Sequence, residues 1–270
     1  MKEKEKFYNE EFNKALEYCK DNDLFLGEGT PNADILIIGK ECGFDKKKRE
    51  SLDDAPDKEK WLLENSQEEA NSNIERLSNN YQSIGLPNLK AQISSHATWR
   101  SYHKLVSLIK GVSKDEITKG GKNDWGFLDH CFITEISQLQ LPNSNYLTEN
   151  NISDDIRRES VEMRAKLFHQ PFFRKFPIVI IASGPDYLNI GKHGYDFDIE
   201  REFNVKYDGQ TVEVIEEGNR KRWYNIHREI DGKPRIVIHT RQLSTQGESA
   251  ETLDLLMDRI AEESIPYLRK

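Results

Sequence analysis

The chain has 270 residues, a formal net charge of -8 and 32% charged residues. This acidic balance argues against broad, non-specific nucleic-acid binding, because such binding rests on neutralising phosphates. Three widely spaced cysteines argue against a disulfide framework, and no run reaches the roughly 20 apolar residues that cross a bilayer. We therefore expect a cytoplasmic protein that does not contact a membrane.

The first third of the chain predicts a helix, a strand and a long polar excursion. Apolar side chains from Phe7 to Lys20 fall on one stripe, which is typical of an amphipathic helix. The short run Ile35-Leu36-Ile37-Ile38 then indicates a buried parallel strand. Residues 46–86 are polar with few apolar anchors, so we expect an excursion over the surface that contains two short helices.

The middle of the chain alternates helices and strands. The apolar pattern predicts a helix over about 96–110, and the run Cys131-Phe132-Ile133 predicts a second strand. Ser153 is a suitable N-cap for another helix. The run Ile178-Val179-Ile180-Ile181 then predicts a third strand.

The last third of the chain first interrupts the alternation of helices and strands and then resumes it. Over about 203–230, apolar and polar residues alternate between turn signals, which predicts a β-hairpin or a three-strand excursion. Ile236-Val237-Ile238 predicts the last core strand, and a closing helix follows from about Ser249. We expect one α/β domain over 1–270. It is a three-layer α/β/α sandwich with a four-stranded, mostly parallel central sheet and a late antiparallel β excursion.

Each predicted core strand stops at a small or ionisable residue. In open α/β sheets, ligands bind in the crevice beyond the carboxyl ends of the strands. Those ends carry Glu41, Glu135, Ser183 and His239. The sequence therefore predicts that these four residues point at one site.

Three stretches at the strand ends suggest a family. The first strand continues as Gly39-Lys40-Glu41-Cys42-Gly43-Phe44, and the second ends in Thr134-Glu135. The last strand continues as His239-Thr240-Arg241-Gln242-Leu243-Ser244. With the order of the elements, these residues resemble the uracil-DNA glycosylase superfamily over most of the chain outside the two excursions.

The resemblance implies roles for two catalytic residues. Cleaving an N-glycosidic bond develops positive charge on the sugar and negative charge on the base. Glu41 falls on the position that activates water, and a carboxylate there would also stabilise the cationic sugar. His239 matches the histidine that stabilises the departing base anion. The expected activity is hydrolysis of an N-glycosidic bond of a modified or damaged base in DNA.

The resemblance also implies a pocket for a base that has left the stack. Phe44 would stack on that base, Leu243 would enter the vacated stack, and Glu135 would contact the edge of the base. The remaining substrate contacts would come from Gly39, Gly43, Ser183 and Arg241. The expected partner is single- or double-stranded DNA or another nucleoside-containing ligand.

Glu135 departs from the asparagine that the family places at this strand end. Asparagine offers a donor and an acceptor, whereas an ionised glutamate offers only acceptors. The edge of uracil presents two carbonyl acceptors and one N–H donor. An ionised Glu135 would therefore suit an amino-bearing edge better than uracil.

Other interpretations stay open at this point. A non-catalytic member of the superfamily would bind a nucleobase or nucleic acid without turnover. An unrelated α/β hydrolase is a weaker alternative, because the chain has no Gly-x-Ser-x-Gly motif. Leu243 could be a packing residue, and Glu135 could form an ion pair. No C-x-x-C pair is present, and we expect no metal and no cofactor.

Overall fold

The computed structural model describes residues 9–41, 44, 46–79, 97–113, 126–143, 145–191, 193–215, 221–230, 232, 234–244 and 250–269. Within these residues, seven strands form one sheet. The strands are β1 (Glu28–Gly29), β2 (Ile35–Glu41), β3 (Cys131–Ser137), β4 (Ile178–Ala182), β5 (Val205–Ile215), β6 (Lys221–Glu229) and β7 (Ile236–Thr240). Their order across the sheet is β1-β3-β2-β4-β7-β6-β5.

The centre of the sheet contains the four strands that the sequence predicts, and they run parallel in the order β3-β2-β4-β7. The sheet is nevertheless larger than the four strands expected. The late hairpin extends it, because β6 pairs antiparallel with β7 and β5 pairs with β6. The short β1 pairs antiparallel with β3 at the other side. These additions cover backbone groups that would otherwise be exposed along the edges of β3 and β7.

Helices connect the strands. They are α1 (Glu10–Asp21), α2 (Lys46–Asp53), α3 (Lys58–Asn79), α4 (Ala97–Ile109), α5 (Tyr146–Glu149), α6 (Asp155–Phe168), α7 (Pro171–Arg174), α8 (Ile199–Phe203) and α9 (Ala250–Ser264). One large apolar cluster joins α1, α6 and α7 to one face of the sheet. A second cluster joins α4 and α9 to the other face. The described residues therefore form an α/β structure with helices on both faces of the sheet.

Strand β2 lies in the middle of the parallel core. Leu36 and Ile38 belong to the cluster on one face, whereas Ile35 and Ile37 belong to the cluster on the other. All four side chains are fully buried. A strand that is covered on both faces needs apolar residues at every position, which explains the continuous run in the sequence.

The polar excursion that starts at residue 46 contains helices α2 and α3, and residues 80–86 of it lie outside the described part. The expectation of two short helices is wrong for α3, which is one helix of 22 residues. Its buried stripe includes Leu62, Ala70 and Leu77, but also Ser66 and Asn73. These two polar residues interrupt the apolar period, so the sequence pattern looks like separate pieces.

Asn73 attaches α3 to the segment that leads into β1. Its side-chain oxygen accepts hydrogen bonds from the backbone N–H groups of Leu26 (3.0 Å) and Gly27 (3.4 Å). Its amide nitrogen donates to the Gly27 carbonyl (2.8 Å). The side chain thus satisfies buried backbone groups that have lost contact with water. No helix in the described ranges is both long enough and apolar enough to cross a membrane.

Replacing Asn73 by alanine should lower the free energy of unfolding by about 2 to 3 kcal/mol, because buried backbone groups lose their hydrogen-bond partners. Urea-induced unfolding followed by circular dichroism measures the effect. Asn71→Ala is the matched control, since Asn71 is exposed on the same helix. The control should change stability by less than about 0.5 kcal/mol. Equal effects of the two substitutions would contradict the role given to Asn73.

Candidate functional site

The site forms where β3 and β2 end side by side. The register pairs Glu135 with Gly39 and places Ser137 opposite Glu41. Glu41 therefore lies two residues beyond the position that Glu135 faces. Both glutamates are half-buried. The parallel pairing explains why residues almost a hundred positions apart in the chain meet at one edge of the sheet.

Tyr187 and two cations surround the carboxyl group of Glu41. The Tyr187 hydroxyl donates a hydrogen bond to Glu41 Oε2. Lys40 Nζ lies 5.1 Å from the centre of the Tyr187 ring, and Arg157 Cζ lies 5.7 Å from it. Burial raises the pKa of Glu41, whereas Lys40, the Tyr187 hydroxyl and Arg157 oppose that shift. All three neighbours favour the ionised carboxylate.

Glu135 has different surroundings. Its Oε2 atom is buried and has no hydrogen-bond partner within the described residues. The Arg164 guanidinium contacts the Glu135 backbone carbonyl instead, with Nε at 3.1 Å and Nη2 at 2.9 Å. It also donates to the Thr134 hydroxyl. Among the described residues, the Glu135 side chain forms no salt bridge, so the ion pair that the sequence left open is not seen there.

Burial raises the pKa of Glu135 to about 8, the negative charge of Glu41 raises it further, and Arg164 opposes both. A carboxyl group with that pKa is mostly neutral at pH 7. Burial thus raises the pKa of both neighbouring carboxyl groups, but only that of Glu135 is raised further by the charge of its neighbour. Glu41 therefore ionises before Glu135, and carboxyl groups with separated pKa values are found in acid–base pairs.

Gly39 allows Glu135 to lie against the backbone of β2. A Cβ atom at position 39 would lie 2.1 Å from Glu135 Oε2 and 2.8 Å from the Tyr102 hydroxyl oxygen. Atoms cannot approach so closely without displacement. Packing therefore requires the glycine. Backbone conformation does not, since Gly39 is not among the residues with a positive φ and other residues could adopt its conformation.

His239 is buried, as expected for the end of a core strand, but its contacts differ from those that the resemblance implies. Its Nε2 atom lies 3.1 Å from the Gly184 carbonyl oxygen, which can only accept, so Nε2 carries the proton. The Trp223 ring packs at 4.9 Å between ring centres. Burial lowers the pKa of His239 to about 4. The neutral ring therefore uses its one N–H inside the protein.

Glu41 and His239 are not brought into contact. Strand β4 separates β2 from β7. Within the described residues, no hydrogen bond or charge interaction joins the two side chains. The structure instead brings together Glu41, Glu135, Tyr187 and Arg157.

Three other predicted site residues are mainly packed inside the protein. Ser183 is buried and donates to the Gly184 carbonyl at 3.0 Å. Leu243 is fully buried in the cluster that contains α4 and α9, and would have to leave it to act as a wedge. Phe44 is half-buried, with its ring 5.8 Å from the ring of Trp61. Phe44 packs against a third, smaller apolar cluster that includes Leu62 and Leu139, and this packing competes with stacking on a base.

Arg241 and Gly43 complete the predicted set. Arg241 is exposed just beyond β7, which is compatible with a phosphate contact. Gly43 lies outside the described residues, as does the neighbouring Cys42.

Sequence reasoning missed Tyr187 and Arg157. Tyr187 ends a single 3-10 turn, Pro185–Tyr187, which begins directly after Gly184 at the end of β4. Its place beyond a core strand is a usable signal in the sequence, and it is the same signal that points to Ser183. Arg157 lies in the first turn of α6 and carried no comparable signal.

The described residues offer no clear metal site. No three His, Cys, Asp or Glu side chains within them are grouped so that they could hold a metal ion. Cys19 and Cys131 are both buried and free. Burial raises the pKa of Cys19 to about 12, and that of Cys131 also lies well above its usual range. Neither thiol readily becomes a thiolate ligand.

Comparison with models of protein families and with curated protein sequences finds no match for this chain. The likeness to uracil-DNA glycosylases therefore stays a prediction that rests on the strand order and the strand-end residues.

Gly39→Ala should destabilise the protein by about 1 to 3 kcal/mol through overpacking against Glu135. In the Glu135→Ala background the same substitution should cost less, since the two Glu135 carboxyl atoms nearest to the new methyl group are then gone. A double-mutant cycle of unfolding free energies measures this coupling. Additive effects would show that the two residues do not share this space.

Glu135→Gln should change how stability depends on pH. The folded pKa of about 8 lies above the ordinary glutamate value of 4.5, so the wild-type folded state loses stability as pH rises from about 4.5 to about 8. Glutamine cannot titrate, and the variant should therefore gain stability relative to wild type over that range. Urea unfolding from pH 4.5 to 9 measures the difference. Glu251→Gln, at an exposed position of α9, is the control and should show no such gain.

Proposed function

We propose that this chain hydrolyses an N-glycosidic bond that joins a modified or damaged base to the sugar of DNA or of another nucleoside-containing ligand. The observation that supports this proposal is the pair of half-buried carboxyl groups at the ends of adjacent strands. Burial raises the pKa of both, and the negative charge of Glu41 raises that of Glu135 further, so Glu41 ionises first. Hydrolysis of a glycosidic bond uses one group as a base and another as an acid.

Glu41 acts on the water and on the sugar. Its carboxylate accepts a proton from the attacking water and stabilises the positive charge that develops on the sugar. The hydrogen bond from Tyr187 holds the carboxyl group in place, and this bond and the charges of Lys40 and Arg157 oppose the rise in its pKa that burial causes. Tyr187 is thus a positioning residue, which acts through Glu41.

His239 has a different part in this proposal from the one that the resemblance implies. A departing base anion needs a hydrogen-bond donor. The neutral His239 ring already donates its one N–H to Gly184, and its lowered pKa disfavours a second N–H at pH 7. We therefore assign His239 to joining the ends of β4 and β7.

The chain offers exposed cations that fit contact with a phosphate, although as a whole it is acidic. Lys47 and Arg49 at the start of α2 are exposed, and so is Arg241. Lys48 lies between them but is engaged by Glu69 and by Gln140 at 2.9 Å. A local group of cations can hold a phosphate where the net charge of the protein is negative.

Non-catalytic binding is the second candidate function. The contacts of His239 favour it, because the N–H that the resemblance assigns to the departing base is donated to the Gly184 carbonyl instead. The two candidates differ in whether abasic product forms.

A glycosylase screen tests the proposal. Single- and double-stranded oligonucleotides carrying uracil, hypoxanthine, xanthine or alkylated bases are incubated with protein, and abasic sites are detected by alkaline strand cleavage. We expect product with wild type and a loss of about 10²- to 10⁴-fold with Glu41→Gln. Tyr187→Phe should lose about tenfold or more, since it removes a hydrogen bond to a charged group.

Glu251→Gln serves as the control and should match wild type. Binding without product from any substrate would favour the non-catalytic alternative. Equal product from wild type and Glu41→Gln would rule out the proposed role of Glu41.

A further inference from the structure

The site contains a primary amine that the proposed hydrolysis does not use as a reactant. Lys40 is half-buried and directly precedes Glu41, the last residue of β2. Its Nζ atom lies 5.1 Å from the centre of the Tyr187 ring, and the hydroxyl of that ring donates a hydrogen bond to Glu41 Oε2. The charge of Lys40 also opposes the rise in the pKa of Glu41 that burial causes. The amine and the carboxyl group are therefore neighbours around one tyrosine.

We propose that Lys40 is a nucleophile that forms an imine with the open-chain aldehyde of an abasic sugar, and that the site then cleaves the DNA strand by β-elimination. The ligand class is therefore DNA that contains an abasic site. The inference rests on the proposed function, which supplies this ligand as its product, and it adds a second activity to the same site.

The chemistry of lysine distinguishes Lys40 from the other cation beside Tyr187. Arg157 Cζ lies 5.7 Å from the centre of the same ring, and its guanidinium already supplies a permanent positive charge that acts on Glu41. An arginine keeps its proton, whereas the amine of a lysine can give one up and attack a carbonyl carbon. Lys40 thus adds an amine to the site, and a carboxyl group that can accept its proton lies beside it.

The position of Lys40 suits contact with a bound sugar. The carboxyl ends of parallel strands border the crevice in which ligands bind, and Lys40 is partly exposed at such an end. Lysines on the neighbouring helices are engaged elsewhere, since Lys48 pairs with Glu69 and Lys58 donates to the Asn150 side chain at 2.9 Å. Lys40 therefore lies where a sugar that has just lost its base would still contact the site.

The first step joins the amine to the sugar. Loss of the base leaves a cyclic hemiacetal that is in equilibrium with an open-chain aldehyde. Lys40 gives one proton to the Glu41 carboxylate, and the electron pair of its nitrogen forms a bond to the C1′ atom of the aldehyde. The aldehyde oxygen takes one proton from the amine and one from Glu41, and it leaves as water. The product is a protonated imine, and Glu41 is again a carboxylate.

The second step breaks the strand. The positive charge of the imine makes the hydrogen on C2′ acidic, and Glu41 takes that proton. The electron pair of the C–H bond forms a double bond between C2′ and C3′, while the phosphate leaves C3′ with the electron pair of the C–O bond. Water then hydrolyses the imine and releases the amine of Lys40, and Glu41 returns its proton to solvent. The steps need only water and the groups of the site.

Trapping of the imine tests the inference. The probe is a single-stranded oligonucleotide with one abasic site, which is prepared in advance by acid depurination, so the test does not depend on glycosidic hydrolysis by this protein. Sodium borohydride reduces the imine to a stable amine and so links the DNA covalently to the protein. Gel electrophoresis measures the linked product, and peptide mass spectrometry locates the linked residue. We expect linked DNA with wild type, attached at Lys40.

Two variants separate the amine of Lys40 from its charge. Lys40→Arg keeps the positive charge but forms no imine, so it should lose both the linked product and, without borohydride, the strand cleavage. Lys206→Arg, at an exposed position of β5, is the matched control and should behave as wild type. Thermal unfolding confirms that both variants are folded. An oligonucleotide whose abasic site is reduced beforehand has no aldehyde and should give no linked product.

No linked DNA with wild type would overturn the inference. Linked DNA that maps to another residue, or that persists in Lys40→Arg, would overturn it as well. None of these results decides the proposed function, because the glycosylase screen measures the loss of a base from intact DNA. Attachment at Lys40 without any product in that screen would support this inference and count against the proposed function.

Discussion

The parallel pairing of β2 with β3 is the constraint on which the site depends. It sets Glu135 against Gly39 and brings the charge of Glu41 next to it. Because the sheet buries both strand ends, the two carboxyl groups interact with little screening by water. A shift of register by one residue would turn the side chains of one strand to the other face and separate the pair.

The surroundings of the two glutamates then make them chemically different. Tyr187 and two cations support the charge on Glu41, whereas the nearest cation to Glu135 is held by backbone and hydroxyl oxygens. Two glutamates of one site thus ionise in sequence, Glu41 before Glu135. The pattern of neighbours, more than the identity of the residues, sets this order.

Much of the core could be predicted from the sequence, because parallel strands covered on both faces show continuous β-branched runs. The hairpin was also predicted, but alternating patterns do not tell which strand a hairpin joins, so its place in the sheet was missed. Helix α3 looked broken because Ser66 and Asn73 occupy its buried stripe. Its continuity follows from hydrogen bonds with residues near position 27, which no local pattern contains.

The sequence predicts where the site lies better than it predicts the hydrogen bonds and protonation states within it. Glu41 and Glu135 stood out as ionisable residues at strand ends, and the fold places them side by side. The link from Tyr187 to Glu41 joins residues 146 positions apart, and only tertiary structure reveals it. The same holds for protonation, since burial sets the pKa values of Glu135 and His239. The sequence-based expectations of an ionised Glu135 and of a His239 that is free to donate rest on the ordinary properties of these side chains.

The central claim is that Glu135 keeps its proton at neutral pH and that Glu41 ionises before it, and infrared difference spectroscopy tests it most directly. Protonated and ionised carboxyl groups absorb at separate frequencies. Glu28, whose pKa burial raises to about 7, adds its own band, so each variant is compared with wild type. At pH 7, Glu135→Gln should remove a protonated-carboxyl band that titrates near pH 8, and Glu41→Gln should retain one. Loss of that band in Glu41→Gln and its persistence in Glu135→Gln would contradict the account.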